Sequence, residues 1–262
     1  SPFQSDPRFI KNYENSKKPR AAKSFATLIE GVDKSLGNLL DHVVAKGVAE
    51  NTLILFVGDN GSDGPLGDTY SYFSSAPLRG KKGTCYEGGM RVPFIASWAK
   101  SGKANPFKIA RNHLHHQQIG TVMDIYSTIV DASHSSSPAK HLVDGVSLLP
   151  QLSGKINKKR PDHFMCHFPH SHRSAYFTSF RKGDWKLIYR YITTAGKRKS
   201  KDPLPRYELY NLKNDPYETK NLAIGNSKKT NEMIRLMTTQ LKRENALFPV
   251  RDGIELRPQL IQ

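Results

Sequence analysis

The fold class is decided by residues 53–61, LILFVGDNG. Five consecutive apolar residues at 53–57, mostly branched or aromatic, predict a strand that is buried on both faces. Before it, residues 20–46 repeat apolar side chains every three or four positions, which predicts a helix that ends at Gly47. A helix followed by a doubly buried strand predicts an α/β fold with a mostly parallel sheet.

A different pattern begins near Lys155. Four short segments predict strands: 164–168, 175–180, 185–192 and 207–212. Residues 228–245 then have helical spacing. Strands followed by one helix predict a small α+β subdomain with an antiparallel sheet. We therefore expect two domains, with the α/β part at 1–154 and the subdomain at 155–262.

The charge of the chain narrows its possible partners. Among 262 residues, 40 Lys and Arg against 23 Asp and Glu give a net charge of +17. Residues 151–262 alone contain 23 basic and 10 acidic side chains. A basic half attracts nucleic acid, an anionic membrane surface or an acidic polysaccharide, although it also suits an ordinary solvated surface. No run of about 18 apolar residues occurs, which excludes a predicted membrane-spanning helix.

Asp59 and Asn60 are the first candidates for chemistry. A carboxylate and an amide oxygen directly after a buried strand suit a hard cation such as Ca²⁺ or Mg²⁺. Gly58 and Gly61 on either side allow a sharp backbone turn. An ordinary turn has the same composition, so the dipeptide by itself leaves both interpretations open.

The second candidate is the loop RGKKGT at residues 79–84. Lysines between glycines can present an ammonium group to a tetrahedral oxyanion, although a solvated basic loop has the same appearance. Glu87 and Arg91, four residues apart, could pair and brace this loop, and we favour that structural role over catalysis. Further along, His167 and His170 could donate to anions, but a proline between them opposes a shared helical face.

In order and spacing, these segments resemble the type I sulfatases of the alkaline-phosphatase superfamily. GDNG at 58–61 is similar to that family's SDNG metal turn, with Gly for Ser. The block LRGKKGTCYEGGMRVP at 78–93 is similar to the family's KGTxYEGGxRxP segment, and DGVSL at 144–148 to its DGxSL segment. RKGDWKLI at 181–188 and ELYNL at 208–212 are similar to its C-terminal signature.

The resemblance implies part of an alkaline-phosphatase-like sandwich that hydrolyses sulfate esters. It implies that Asp59 and Asn60 are ligands of a divalent cation, usually Ca²⁺, with Mg²⁺ as an alternative. It implies that Lys82 is catalytic and contacts the sulfate group, and that His167 and His170 meet the sugar of a carbohydrate substrate. We accordingly expect a sulfate ester, such as that of an anionic polysaccharide, as the substrate, and no nucleic acid. The implied location is periplasmic, secreted or lysosomal.

The sequence also departs from the family pattern. The family's nucleophile is a formylglycine made from Cys or Ser in a Cys/Ser-x-Pro/Ala-x-Arg motif, and neither Cys85 nor Cys166 lies in such a motif. The paired N-terminal aspartates of the metal site have no counterpart. We therefore expect this chain to be the C-terminal part of a sulfatase, with the nucleophile in an N-terminal part, and to be inactive alone.

Two alternatives remain open from the sequence. The same superfamily contains phosphomonoesterases and phosphodiesterases, whose nucleophile is often Ser or Thr. The other alternative is a non-catalytic module that binds polyanions through the basic half, which leaves the Asp-Asn turn and the Glu-Gly-Gly segment unexplained.

Overall fold

The computed structural model describes residues 4–62, 75–110, 118–170, 176–193 and 204–261. These residues form two compact units. The first unit comprises 4–59, 93–110 and 118–160, and the second comprises 60–62, 75–92, 161–170, 176–193 and 204–261. The division into domains 1–154 and 155–262 stays a prediction.

The described residues contain both helices and strands. In order they are α1 (Arg20–Ala45), β1 (Leu53–Val57), α2 (Glu87–Met90), β2 (Phe94–Trp98), α3 (Asp124–Ala132), α4 (Leu149–Leu152), β3 (His163–Phe168), β4 (Phe177–Lys182), β5 (Trp185–Arg190), β6 (Tyr207–Asn211), α5 (Ser227–Arg243), β7 (Val250–Arg251) and β8 (Ile254–Glu255). Short 3₁₀ helices occupy Pro7–Tyr13 and Ala49–Asn51. Among the described residues, no helix is long and apolar enough to cross a membrane.

The predicted parallel sheet is wrong for the part of the chain that the structure describes. β1 pairs only with β2, and the pair is antiparallel, with Leu55 opposite Ala96. The other two sheets, β3-β4-β5-β6 and β7-β8, are antiparallel as well. β1 is half-buried, with Phe56 exposed, and is not enclosed on both faces. An apolar run shows that a strand can be buried but carries no information about the direction of its neighbour.

Helix α1 ends where the sequence predicts. Gly47 adopts φ +70°, which glycine tolerates without steric cost, and the Val48 amide donates to the Val43 carbonyl at 3.1 Å. The side chains that α1 buries are small or polar, namely Ala22, Ser24 and Thr27. Its apolar face, which the periodicity assigns to a core, is incompletely covered: Ile29, Val32 and Leu39 are exposed, and the other members are half-buried, namely Phe25, Leu28, Leu36, Leu40 and Val43.

The second unit is built on the four-stranded sheet, and alternation along the strands separates its two faces. Leu187, Tyr189 and Leu209 pack against α5, which contributes Met237 and Leu241 to the same cluster. On the opposite face, an apolar cluster includes Ile188 and Tyr210 from the sheet and Cys85 from the segment before α2. The predicted α+β arrangement of strands and a helix is therefore present in this unit.

Candidate functional site

Asp59 lies just beyond the end of β1. The pairing of β1 with β2 is extended by one bond, from the Gly58 amide to the Pro93 carbonyl at 3.0 Å. Asp59 follows that bond and is exposed. An exposed carboxylate at the end of a paired strand is held by the strand's backbone but remains open to a ligand.

Asn60 is half-buried in the second unit. Its amide nitrogen Nδ2 donates to the Gly61 carbonyl at 3.0 Å, so the oxygen Oδ1 is the atom suited to a cation. The next residue lies directly against α2: the Gly61 amide donates to the Gly89 carbonyl at 3.2 Å, and a Cβ on Gly61 would lie 2.2 Å from the Gly88 carbonyl oxygen. Only glycine fits there, which accounts for the glycine after the Asp-Asn pair.

Lys82 lies in a tight turn beside this segment. Its amide donates to the Ser62 carbonyl at 3.0 Å, and its side chain is half-buried. Thr84 closes the turn, because its hydroxyl donates to the Lys81 carbonyl at 2.8 Å. Gly83 has φ +82°, a conformation that other residues rarely adopt. The structure thus brings the backbone of Lys82 next to the segment that carries Asn60.

The two predicted sugar-contacting histidines have different surroundings. Both ring nitrogens of His167 already have partners, with Nδ1 2.7 Å from Thr178 Oγ1 and Nε2 2.7 Å from the Leu247 carbonyl. His170 is exposed, and its ring lies 3.9 Å from the ring of Phe168. Of the two, His170 is the side chain that can meet a ligand without breaking a bond. The role of both residues stays a prediction.

Neither cysteine has the environment of a nucleophile. Cys85 is only 2% exposed, and burial raises the pKa of its thiol to about 11. Burial raises the pKa of the Cys166 thiol in β3 as well. Because the thiolate is the reactive form, a raised pKa makes both thiols less reactive near neutral pH. These environments, like the sequence context, do not fit a formylglycine precursor.

A layer of buried charge, which the sequence reasoning missed, lies against the sheet of the second unit. Lys186 Nζ lies 2.8 Å from Glu87 Oε1 and 2.8 Å from Glu218 Oε1. Arg190 pairs with Glu208 on the same face. The predicted partner of Glu87 was Arg91, but those two residues are joined by a backbone bond from the Arg91 amide to the Glu87 carbonyl at 2.7 Å. Glu87 therefore has the predicted structural role with a different cation.

Two tyrosines complete this layer. The Tyr86 hydroxyl donates to Glu208 Oε1 at 3.0 Å, and the Tyr210 hydroxyl donates to the same carboxylate. Arg79 Nη1 donates to the Tyr210 oxygen at 2.8 Å. Burial raises the pKa of Tyr86 to about 12, so the phenol stays a donor across the neutral range. A signal for this layer is present in the sequence, because Lys186 and Arg190 lie four residues apart in β5 and therefore on the same face of the strand.

In the first unit, the DGVSL segment is fixed by another buried ion pair. Asp124 Oδ2 lies 2.8 Å from Arg160 Nη1, and both side chains are 4% exposed. Asp124 Oδ1 accepts the Val146 amide at 2.8 Å. A Cβ on Gly145 would lie 2.1 Å from the Met123 carbonyl oxygen, which explains the glycine of this segment. These contacts give the DGVSL segment a structural role.

A divalent cation fits the donors that this chain supplies only in part. The carboxylate of Asp59 and the amide oxygen of Asn60 are the oxygen ligands that Ca²⁺ prefers. Ca²⁺ takes six to eight oxygens, so two side chains leave most of its coordination to other groups. Among the described residues, no cluster of three or more His, Cys, Asp or Glu could hold a metal by itself.

Comparison with known families covers most of the chain. The Sulfatase family model matches residues 1–135, and the model for the C-terminal region of N-sulphoglucosamine sulphohydrolase matches residues 81–246. The fold and these matches define a hydrolase-type chain of the alkaline-phosphatase superfamily. Within that superfamily, the chain belongs to the sulfatase family.

Individual relatives agree with this assignment. A sulfatase of Formosa agariphila is 30% identical over 83% of this chain and 38% of its own length. Human N-acetylgalactosamine-6-sulfatase is 24% identical over 88% of this chain and 45% of its own length. The chain thus spans less than half the length of these curated relatives.

A solved structure shares the fold. The crystal structure of Ps i-CgsB in complex with k-i-k-neocarrahexaose matches with a TM-score of 0.66 and 23% identity, over 92% of this chain and 47% of that chain. The partial coverage agrees with that of the curated relatives.

Proposed function

We propose that the complete protein hydrolyses sulfate esters of a carbohydrate, and that this chain contributes Lys82 to sulfate binding and Asp59 and Asn60 to a cation site. Membership of the sulfatase family supports the reaction class. The observation that carries the site is the bond from the Lys82 amide to the Ser62 carbonyl, because it keeps the Lys82 turn beside the Asn60 segment.

The ammonium group of Lys82 has a direct electrostatic role in this proposal. As the sulfate ester breaks, negative charge develops on the sulfuryl oxygens and the leaving oxygen. A prearranged cation lowers the free energy of that transition state more than that of the substrate. The turn prearranges it, because Gly83 at φ +82° and the Thr84 hydroxyl restrict the backbone on the C-terminal side of Lys82.

Asp59 and Asn60 would hold the divalent cation through a carboxylate oxygen and an amide oxygen. When bound, such a cation acts as a Lewis acid that polarises a sulfuryl oxygen. The nucleophile is assigned to neither Cys85 nor Cys166, because both lie outside the family motif and burial raises the pKa of both thiols. Catalysis by this chain alone is therefore not expected.

A sulfated carbohydrate is the substrate class that the relatives and the charge of this chain support best. N-acetylgalactosamine-6-sulfatase is among the relatives, and another solved structure of this fold contains its substrate D-glucosamine-2-N,6-O-disulfate. The basic residues 151–262 favour an anionic polymer over a neutral one. The exposed ring of His170 is the side chain of the predicted pair that is open to a sugar. By family resemblance, the complete protein acts in the periplasm, in the lysosome or outside the cell.

The test compares Lys82→Ala with Lys213→Ala, which removes one exposed lysine and changes the net charge equally. In the complete protein, we expect Lys82→Ala to lower kcat/KM for an aryl sulfate by about 10²–10³-fold, as for the loss of one transition-state donor. Lys213→Ala should leave kcat/KM within about twofold. The purified 262-residue chain should show no turnover above its own Lys82→Ala variant.

Three outcomes would contradict this proposal. Equal effects of the two lysine variants would show that only net charge matters. Turnover by the isolated chain would show that it supplies its own nucleophile. Preference for an aryl phosphate over an aryl sulfate in the complete protein would favour a phosphoesterase instead.

A further inference from the structure

The turn that carries Lys82 is attached to the sheet of the second unit on both of its sides. Arg79 precedes the turn, and Glu87 follows it at the start of α2. Both side chains reach the face of the sheet opposite α5. The contacts of these two residues therefore decide where the backbone between them lies.

On the C-terminal side, Glu87 is joined to the sheet by a buried ion triad. Lys186 from β5 lies 2.8 Å from a carboxylate oxygen of Glu87 and 2.8 Å from one of Glu218. The side chains of Lys186, Glu87 and Glu218 are 2%, 9% and 0% exposed. Glu218 Oε2 also accepts the Glu87 amide at 2.7 Å. One ammonium therefore lies between two carboxylates that are closed off from water, and the Arg181 guanidinium lies 4.0 Å from the other oxygen of Glu87.

The backbone of Glu218 supports a specific role for this triad. Glu218 adopts φ +55°, a left-handed conformation that is unfavourable for a residue with a side chain. Burial also raises the pKa of its carboxyl. A strained, buried carboxylate persists only where its contacts compensate for the cost, and these contacts are to Lys186 and the Glu87 amide.

On the N-terminal side, Arg79 makes four contacts, one of which is an ion pair at 3.5 Å between its Nη1 and Glu208 Oε2. Its Nη1 donates to the Tyr210 hydroxyl at 2.8 Å and to the Glu218 carbonyl at 3.0 Å. Its guanidinium carbon lies 3.9 Å from the centre of the Tyr86 ring. Glu218 is thus contacted from both sides of the turn, through its side chain by Lys186 and through its carbonyl by Arg79.

Two glycines transmit this attachment to the turn. The Gly88 amide donates to the Arg79 carbonyl at 2.7 Å, and a Cβ on Gly88 would lie 2.6 Å from that oxygen. A Cβ on Gly89 would lie 2.5 Å from the Lys81 carbonyl oxygen. The backbone of α2 therefore touches the backbone of the turn, and a shift of Glu87 must move Lys82.

We propose that Lys186 is a positioning residue, which fixes the Lys82 turn by holding Glu87 and Glu218 together. This inference rests on the proposed role of Lys82 in sulfate binding. Without the Lys186 ammonium, two buried carboxylates would face each other, and the favourable responses are protonation or movement of Glu87 toward water. Movement of Glu87 carries the turn with it.

The first measurement is hydrogen exchange on the full 262-residue chain. In Lys186→Met, the Lys82 amide should exchange at least about tenfold faster, while amides of Leu209 and Leu241 keep their protection, because opening is local. Lys186→Arg should restore most of the protection. The control Lys182→Met removes an exposed lysine of β4 that pairs with Asp162, and it should change nothing in the turn.

If Lys186→Met loses protection throughout the second unit, Arg79→Met decides the question. The Arg79 side chain is 43% exposed, so its loss is less disruptive to the core. Faster exchange at Lys82 in Arg79→Met, with α5 unchanged, supports attachment of the turn to the sheet. Unchanged exchange at Lys82 in a folded Lys186→Met or Arg79→Met protein overturns the proposal.

The second measurement separates this inference from the proposed function. Inorganic sulfate is titrated into the wild-type chain and into Lys82→Met, Lys186→Met and the double variant. If Lys186 acts by positioning Lys82, each single variant should weaken sulfate binding about tenfold. The double variant should then bind sulfate no more weakly than either single variant, because both replacements remove the same interaction. Additive losses would show that Lys186 acts independently of Lys82. Equal sulfate binding by wild type and Lys82→Met would contradict the proposed role of Lys82, whatever the exchange experiment shows about the turn.

Discussion

The two units of the molecule differ in how deeply their longest helix and their strands bury apolar side chains. In the second unit, the sheet is covered on both faces, and Leu187, Ile188 and Leu209 are completely buried. In the first unit, Ile29 and Leu39 of α1 are 53% and 50% exposed. The exposed apolar side chains of the first unit also include Phe56, Ile95 and Ile129, from β1, β2 and α3.

This difference shows that amphipathic spacing describes a capacity for burial, which is realised only where a second surface exists. α1 and α5 have equally clear apolar faces in sequence. The four-stranded sheet packs against α5, whereas the described residues place no comparable surface on the apolar face of α1. Full burial of a leucine or isoleucine contributes about 1.5–3 kcal/mol to the free energy of unfolding. The half-exposed side chains of α1 therefore contribute less than the buried ones of α5.

The largest expected effect comes from a matched pair of leucines, one in each long helix. Leu241 of α5 is completely buried, and Leu39 of α1 is half exposed. Leu241→Ala should lower the free energy of unfolding of the second unit by about 2–5 kcal/mol, because it removes contacts and leaves a cavity. Leu39→Ala should change the stability of the first unit by about 0.5 kcal/mol or less.

Urea unfolding can resolve the two units, because each contains one tryptophan, Trp98 in the first and Trp185 in the second. A Trp98→Phe background reports on the second unit, and a Trp185→Phe background reports on the first. Equal losses of unfolding free energy in Leu241→Ala and Leu39→Ala would contradict the difference between the two units, because they would mean that α1 is as well packed as α5.

The next largest expected effect is that the second unit loses stability at alkaline pH. Burial raises the pKa of the Cys85 thiol from 9.0 to about 11. Because the thiol holds its proton more tightly in the folded state, it contributes to the free energy of unfolding. This contribution is fully present below pH 9 and is lost as the pH rises through 11. Two pH units correspond to about 2–3 kcal/mol. The urea midpoint of the second unit should therefore fall between pH 9 and 11.

Two cysteine variants test the origin of that fall. Cys85→Ala should flatten the part of the pH dependence that the thiol contributes, leaving the part due to tyrosines such as Tyr86, whose pKa is about 12. Cys166→Ala, a control with a half-buried thiol, should retain most of the slope. An unchanged slope in Cys85→Ala would exclude the Cys85 thiol as its cause.

The sequence predicts the elements of this fold better than their arrangement. The strand expected at 53–57 is β1, and the strands expected at 175–180 and 185–192 overlap β4 and β5. The direction of pairing of β1 could not be predicted, because an apolar run looks the same beside a parallel or an antiparallel neighbour.

The candidate site shows the same limit. Motif order singled out Asn60 and Lys82, and the structure brings the backbone of Lys82 to the Asn60 segment through Ser62. The buried layer beside the Lys82 turn was missed because charged residues in a strand usually face water. Lys186 and Arg190 face acidic side chains instead, and only one of those, Glu208, lies on the adjacent strand. Glu87 is 99 positions away from Lys186, a separation that no local pattern reveals.

The smallest expected effect on stability concerns the exposed face of α1 itself. Ile29 and Val32 are 53% and 52% exposed and lie one turn apart. Replacing both with Gln should change the unfolding free energy of the first unit by about 0.5 kcal/mol or less, because little apolar area leaves water at these positions. It should nevertheless reduce the binding of a hydrophobic dye such as ANS, since such dyes report accessible apolar surface.

A matched double variant controls for changes in helix composition. Asp33→Gln with Lys34→Gln alters two exposed polar neighbours on the same turn, and it should leave dye binding unchanged. A destabilisation of several kcal/mol by the Ile29 and Val32 replacements would mean that another surface covers this face in solution. The contrast between the units would then lie in what covers α1 and not in how its own side chains pack. Unchanged stability together with reduced dye binding would instead establish the apolar face of α1 as open, in contrast to the closed core around α5.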